Sequence, residues 1–272
     1  MILKVAPLIG LRHAQVFTPY TYEEILSDGE KAAHALKKAY DFYKPDLSLS
    51  YFDPDLFRNC FEEGFVYHDR IQELIKCNEI LCNALDVPVV GIITAPFTLC
   101  YEKFGTDFLL KIKEDIDQAK SILEEAAKTV IELSEFIETS FYFVGDPCAS
   151  QDLISPENFF ELAFPYQNMV LNKLKGERIL HICGDLKVSL EESIAEILSL
   201  EADIEKIDTE KILMGGINSK EIYKEKTEEI ERKIESLAES NKKIILSCEG
   251  LIEDTPKEKI REIIEIGKKY SL

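Results

Sequence analysis

The sequence predicts an α/β fold, a single (β/α)8 TIM barrel, and three observations carry that expectation. Eight short, apolar, β-rich runs alternate with long amphipathic segments, the pattern of parallel strands joined by helical crossovers. Eight such units fit a chain of 272 residues, close to the roughly 250 residues typical of a closed barrel. No Gly-x-Gly-x-x-Gly follows the first run, so the open dinucleotide-binding alternative lacks its fingerprint. With no Gly/Ser linker, low-complexity tract or short repeat, residues 1–272 read as one domain.

Taken in order, the first strand is expected at 2–8, followed by a helix over 22–43. The second strand, 47–51, leads into a helical pair spanning 54–85, and the third, 87–94, into one long helix at 104–138. The fourth strand at 141–144 precedes a helix over 156–175. Its start is marked by Ser155-Pro156 before Glu157: a cap residue, proline at the first helical position and an acid in the first turn. Strand five is expected at 178–183 with a helix over 186–200, and strand six at 203–207. Strand seven at 212–215 is followed by a helix at 219–240. Strand eight at 243–248 is followed by a last helix at 256–270, where Thr255-Pro256 repeats the start signal.

Composition narrows the partners. Hydrophobic residues make up 46% and charged residues 31%, as in a soluble globular protein. The longest apolar run, 87–97, is too short to cross a bilayer and contains Pro88 and Pro96. MILKVAPLIG carries no charged leader with a small-residue cleavage site, so a cytoplasmic location is expected. A net charge of -19 argues against nucleic acid, against anionic membranes and against a polyanionic ligand. Seven cysteines without a repeating spacing read as thiols in a reducing compartment, some of them candidate ligands that only position can single out.

A barrel places its chemistry at the C-terminal ends of its strands. His181 and Cys183 are two apart on strand five, so both side chains share one face. Imidazole and thiolate are donors that zinc favours, and three protein ligands plus an open position is the catalytic pattern. Cys248, at the end of strand eight on the same rim, is expected to complete the set. A fourth ligand would be water, substrate, Glu249 or Asp185. Asp53, Asp146 and Asn218 also lie at strand ends, as candidates for orienting substrate or handling protons, with helix capping as the alternative. Asp152 is expected only to organise a turn. Cys60, Cys77, Cys82 and Cys100 read as packed thiols, and Cys148 sits on the active rim after Asp146-Pro147. His13, His34 and His68 have no partner at ligand spacing, and His34 and His68 read as exposed.

The run from Asp146 through Pro-Cys-Ala-Ser-Gln-Asp-Leu-Ile-Ser-Pro to Glu157, with His181-Ile-Cys-Gly downstream, resembles the zinc methyltransferases of the uroporphyrinogen decarboxylase superfamily. Gly91-Ile-Ile-Thr-Ala-Pro-Phe-Thr-Leu, the Gly216-Ile-Asn218 turn and the stretch from Leu246 to Pro256 resemble further segments of that family, so the likeness covers nearly the whole chain. The resemblance implies a zinc ion on His181, Cys183 and Cys248. It also implies methyl transfer from a methylated corrinoid on a partner protein to a thiol such as coenzyme M, or to tetrahydrofolate. Cys248 stands one residue further from Thr255 than the family's pattern has it. The decarboxylase branch is the alternative. Ser50-Tyr-Phe-Asp53 resembles its aspartate-bearing strand and Leu11-Arg12-His13-Ala14 its arginine motif. Val16 stands near the second arginine's place, however, and an acidic chain fits a polycarboxylate substrate poorly. A non-catalytic module that docks a corrinoid protein is the third reading.

Overall fold

The computed structural model describes residues 1–63, 69–184, 187–201, 203–248 and 250–271. Eight strands form one parallel sheet: β1 (Ile2–Val5), β2 (Ser48–Leu49), β3 (Val89–Thr94), β4 (Phe141–Gly145), β5 (Glu177–Ile182), β6 (Ile197–Leu200), β7 (Ile212–Ile217) and β8 (Ile244–Cys248). Their order is β1-β8-β7-β6-β5-β4-β3-β2, so sequence neighbours are spatial neighbours and the sheet curls into a (β/α)8 barrel. The two outer strands meet at Asp46. Its backbone N–H donates to the Val5 carbonyl at 2.9 Å, and its Oδ2 accepts the Val5 N–H at 2.7 Å. One carboxylate thereby does the work of a missing ladder rung.

Side chains alternate across this sheet with period two. Ala6, Leu49, Val90, Phe143, Ile179, Ile197, Met214 and Ile245, one from each strand or its extension, pack together inside the barrel. Their strand neighbours Val5, Ile93, Val144, Leu180, Leu198, Leu213 and Ile244 belong to a separate, larger core between sheet and helices. The ladder keeps the two sets in step, pairing Phe143 with Ile179, Ile179 with Ile197, and Met214 with Ile245. No helix among the described residues is long and apolar enough to cross a membrane.

Most elements fall where the sequence expects them; several do not, among them the helix expected over 219–240, which is two, Ser219–Lys224 and Thr227–Glu239. The sixth strand is Ile197–Leu200, inside the span expected to be helical, and 203–207 holds only a short helical turn, Ile204–Lys206, capped by Asp203. Described residues 187–196 are turns and bends. Long-range pairing overrides local pattern here, because Ile197–Leu200 gains ladder partners on both β5 and β7. The long helix expected over 104–138 is two, Thr106–Glu114 and Ile116–Ser134, preceded by a further helix, Pro96–Phe104. Gly105, at φ +60°, turns the first break, and Asp115 caps the last segment by accepting the Gln118 N–H. Likewise Asp28 splits 22–43 and caps Gly29–Tyr43 through the Glu30 and Lys31 N–H groups.

The bottom of the barrel depends on Gly176, just before β5. A Cβ there would lie 2.3 Å from the Ser140 carbonyl oxygen, which accepts the Glu177 N–H and starts the β4–β5 ladder. Gly176→Ala should lower stability by roughly 1–3 kcal/mol, as overpacking against backbone does. Urea unfolding would show this as a reduced midpoint at unchanged slope.

Candidate active site at the barrel mouth

His181 shares the parity of Ile179, so it faces the barrel interior one layer higher. Its Nε2 lies 3.2 Å from Cys183 Sγ, and its Nδ1 lies 3.2 Å from Ser199 Oγ on the paired strand β6. Phe143 stacks on the ring, with centroids 5.1 Å apart and planes at 26°. Burial pushes His181 down to about 4, with Glu201 and Ser199 opposing the shift. The imidazole is therefore neutral at neutral pH, with one ring nitrogen able to donate a lone pair to a Lewis acid. Cys183 is half-buried. The turn after it needs glycine. Gly184 has φ +75°, and a Cβ would lie 2.4 Å from Asp152 Oδ2 and 2.6 Å from Ser150 Oγ. Its N–H donates to Glu201 Oε2 at 3.0 Å.

This pair suits a zinc ion. Bond lengths near 2.0–2.1 Å to nitrogen and 2.3 Å to sulfur place two tetrahedral ligands about 3.5 Å apart. Ile245 faces inward, and the Ser247 hydroxyl donates to the Ala6 carbonyl. Cys248, the next residue, is buried beside its ladder partner Ile217 and also lines the cavity over the ends of β6, β7 and β8. After burial and Glu258, it adds to the effects that raise the Tyr43 phenol. Among the described residues, no three His, Cys, Asp or Glu side chains come together as a metal-holding group. Asp185 and Glu249, the candidate fourth ligands, lie outside the described residues.

The other three strand-end candidates all cap helices. Crossover helices begin where strands end, and their first N–H groups need acceptors. Asp53 Oδ1 accepts the Asp55 N–H at 3.0 Å, and its Oδ2 lies 3.4 Å from Arg70 Nη1. Asn218 forms a capping box with Glu221 at the start of Ser219–Lys224. Asp146 caps at a distance: its Oδ1 accepts both the backbone N–H and the hydroxyl of Thr98, at 2.8 and 2.6 Å. That supplies the helix Pro96–Phe104, which has no side-chain cap of its own. Oδ2 accepts from Gln167 Nε2 at 2.7 Å, and the Asp146 N–H donates to the His181 carbonyl at 2.9 Å. Asp146 is fully buried, and burial pushes it up to about 6 against these hydrogen bonds.

Elsewhere, His13 is buried between the Ile252 carbonyl and the Tyr43 hydroxyl, each 2.7 Å from a ring nitrogen. His34 is exposed as expected, and His68 lies outside the described residues. Cys60, Cys77 and Cys100 are buried and Cys148 is half-buried, but Cys82 is exposed rather than packed. Sequence reasoning missed Ser199 and Glu201 because it placed 186–200 in a helix. Their alternation with Leu198 and Leu200 was the signal available. Both line a cavity of about 320 Å³ over the ends of β6, β7 and β8, together with Gly216, Asn218 and Ser247.

The Asp146 cluster makes a pH-dependent prediction. A carboxyl whose folded value lies above its unfolded one favours folding most below the unfolded value, near 3.9. That advantage is lost as pH rises through about 6. Thr98→Val removes a donor to the charged form, so it should destabilise by roughly 1–3 kcal/mol at pH 8 and by distinctly less at pH 5. Thermal melts of both proteins at the two pH values would show it; an equal loss at both would contradict the assignment.

A family model described as uroporphyrinogen decarboxylase (URO-D) matches residues 45–270. A methylated-thiol–coenzyme M methyltransferase of Methanosarcina mazei is 27% identical over 136 residues, 45% of this chain and 37% of that protein. A methylcobamide:CoM methyltransferase of the same organism is 23% identical over 223 residues, 74% of this chain and 64% of that protein. The matches therefore span less than two thirds of these relatives' own lengths. A solved structure described as a methyltransferase from Methanosarcina mazei superposes with a TM-score of 0.85 at 17% identity, covering 98% of this chain and 94% of that one. That likeness is one of fold. With its family model spanning most of the barrel, the chain belongs to the uroporphyrinogen decarboxylase (URO-D) family.

Proposed function

We propose that this protein is a methyltransferase that moves a methyl group from a methylated corrinoid on a partner protein to a small thiol, with His181 and Cys183 anchoring a zinc ion. One observation carries this reading: the His181 Nε2 and Cys183 Sγ pair, 3.2 Å apart at the barrel mouth. Relatives named as methylcobamide:CoM and methylated-thiol methyltransferases support it. Zinc bound there would hold the acceptor's sulfur as thiolate, the reactive form, at a pH where a thiol near pKa 8.5 is mostly protonated.

The chain's own residues prepare that site. Burial keeps His181 neutral, and with its Nδ1–H donated to Ser199 the lone pair of Nε2 points toward Cys183. Phe143 covers one face of the ring and excludes water from it. Glu201 holds the Gly184 N–H, which fixes the turn that presents the Cys183 sulfur. In the transfer, an acceptor sulfur lone pair forms the S–C bond. The carbon–cobalt bond breaks with its pair going to cobalt, which leaves as cobalt(I), and the thiol proton goes to solvent. Asn218 lines the adjoining cavity and serves to orient the acceptor, whereas Asp53 and Asp146 hold the helices that frame the mouth. Tetrahydrofolate is a less direct acceptor, because a pterin nitrogen would have to take the place of sulfur. Cys248, at the rim of the same cavity, is the candidate third ligand.

Metal analysis of purified protein should find zinc, lost in His181→Ala and Cys183→Ala and weakened or lost in Cys248→Ala. Full zinc retained in Cys248→Ala would remove that residue from the ligand set. Chelated protein should lose thiol-dependent demethylation of methylcobalamin, and undiminished activity without metal would sink the mechanism. Porphyrinogen decarboxylation without metal would favour the decarboxylase branch. Zinc-independent binding of a corrinoid protein with no turnover would favour the docking module.

A further inference from the structure

The cavity beside the His181–Cys183 pair has a charge pattern that selects among acceptors. Its volume of about 320 Å³ is at the small end for ligand sites, and it joins the donor pair through Ser199 and Glu201. Glu201, Asp203, Glu205 and Glu221 line it, and among the described lining residues Lys233 is the one cation. Lys233 is committed, its Nζ lying 2.5 Å from Glu221 Oε1. Lys206, which pairs with Asp203 at 3.0 Å, is 81% exposed and points to solvent. The helix start at Ser219–Lys224 offers an anion little, because Asn218 and Glu221 already occupy its capping N–H groups. Glu201 accepts the Gly184 N–H and Glu205 accepts the Ser236 hydroxyl at the rim.

From this geometry we infer that the acceptor is a small thiol without an anionic group, neutral or cationic, rather than a sulfonate. The inference rests on the thiol-transfer reading above and narrows it. A sulfonate beside the pair would meet carboxylates on the β6 side and no uncommitted cation among the described lining residues. An ammonium would gain from the same field. The carboxylates of a folate tail are disfavoured for the same reason.

Three two-carbon thiols differ only in the group at the far end: cysteamine (ammonium), 2-mercaptoethanol (hydroxyl) and coenzyme M (sulfonate). Zinc-loaded protein should demethylate methylcobalamin with a kcat/KM, corrected for thiolate fraction, about tenfold or more higher for cysteamine than for coenzyme M at low salt. Calorimetric binding of the thiols without methyl donor should follow the same order. Glu201→Gln/Glu205→Gln, which keeps size and hydrogen bonding, should narrow the ratio at least about threefold, as should high salt. Coenzyme M matching or exceeding 2-mercaptoethanol would overturn the inference and leave thiol transfer standing. Turnover with none of the three would overturn the thiol-transfer reading and this one with it.

Discussion

Each side chain at the mouth of this barrel takes its direction from the period-two alternation that the parallel ladders impose. Once Ile179 and Ile197 are committed to the inner core, His181 and Ser199, two residues on, face the same way. The candidate chemistry thus depends on the same burial that closes the barrel.

Closing the barrel also decides how carboxylates are used. Helices start where strands end, so strand-end acids and amides lie beside exposed N–H groups. Asp53, Asp146 and Asn218 all answer that need. Asp146 is the extreme case, a fully buried carboxyl that holds a helix from another crossover and, through its N–H, the carbonyl of His181. Position at a strand end therefore identifies a structural role as readily as a catalytic one. His181 differs because burial keeps it neutral and two neighbours orient its ring.

The surface charge has a local counterpart. A chain at -19 places acids widely, but around the cavity over β6–β8 the cations are already paired with carboxylates or turned to solvent. The field at the mouth is thus a property of how those side chains pair rather than of composition alone, and this links the acidity of the sequence to a choice of acceptor.

Much of this was legible in the sequence. Alternating apolar runs are enough to dictate seven of the eight parallel strands, because such runs cannot be buried in isolation. The spacing of His181 and Cys183 dictates a shared face on any strand. The sixth strand was not legible, since a short run beside an amphipathic pattern becomes a strand only when ladders on both sides are available, and Ser199 and Glu201 were hidden with it. Nor were the surroundings of Cys248. A cysteine at a strand end reads the same whichever way it points, and only the packing of β8 between β7 and β1 puts it beside Ile217 at the rim of the cavity.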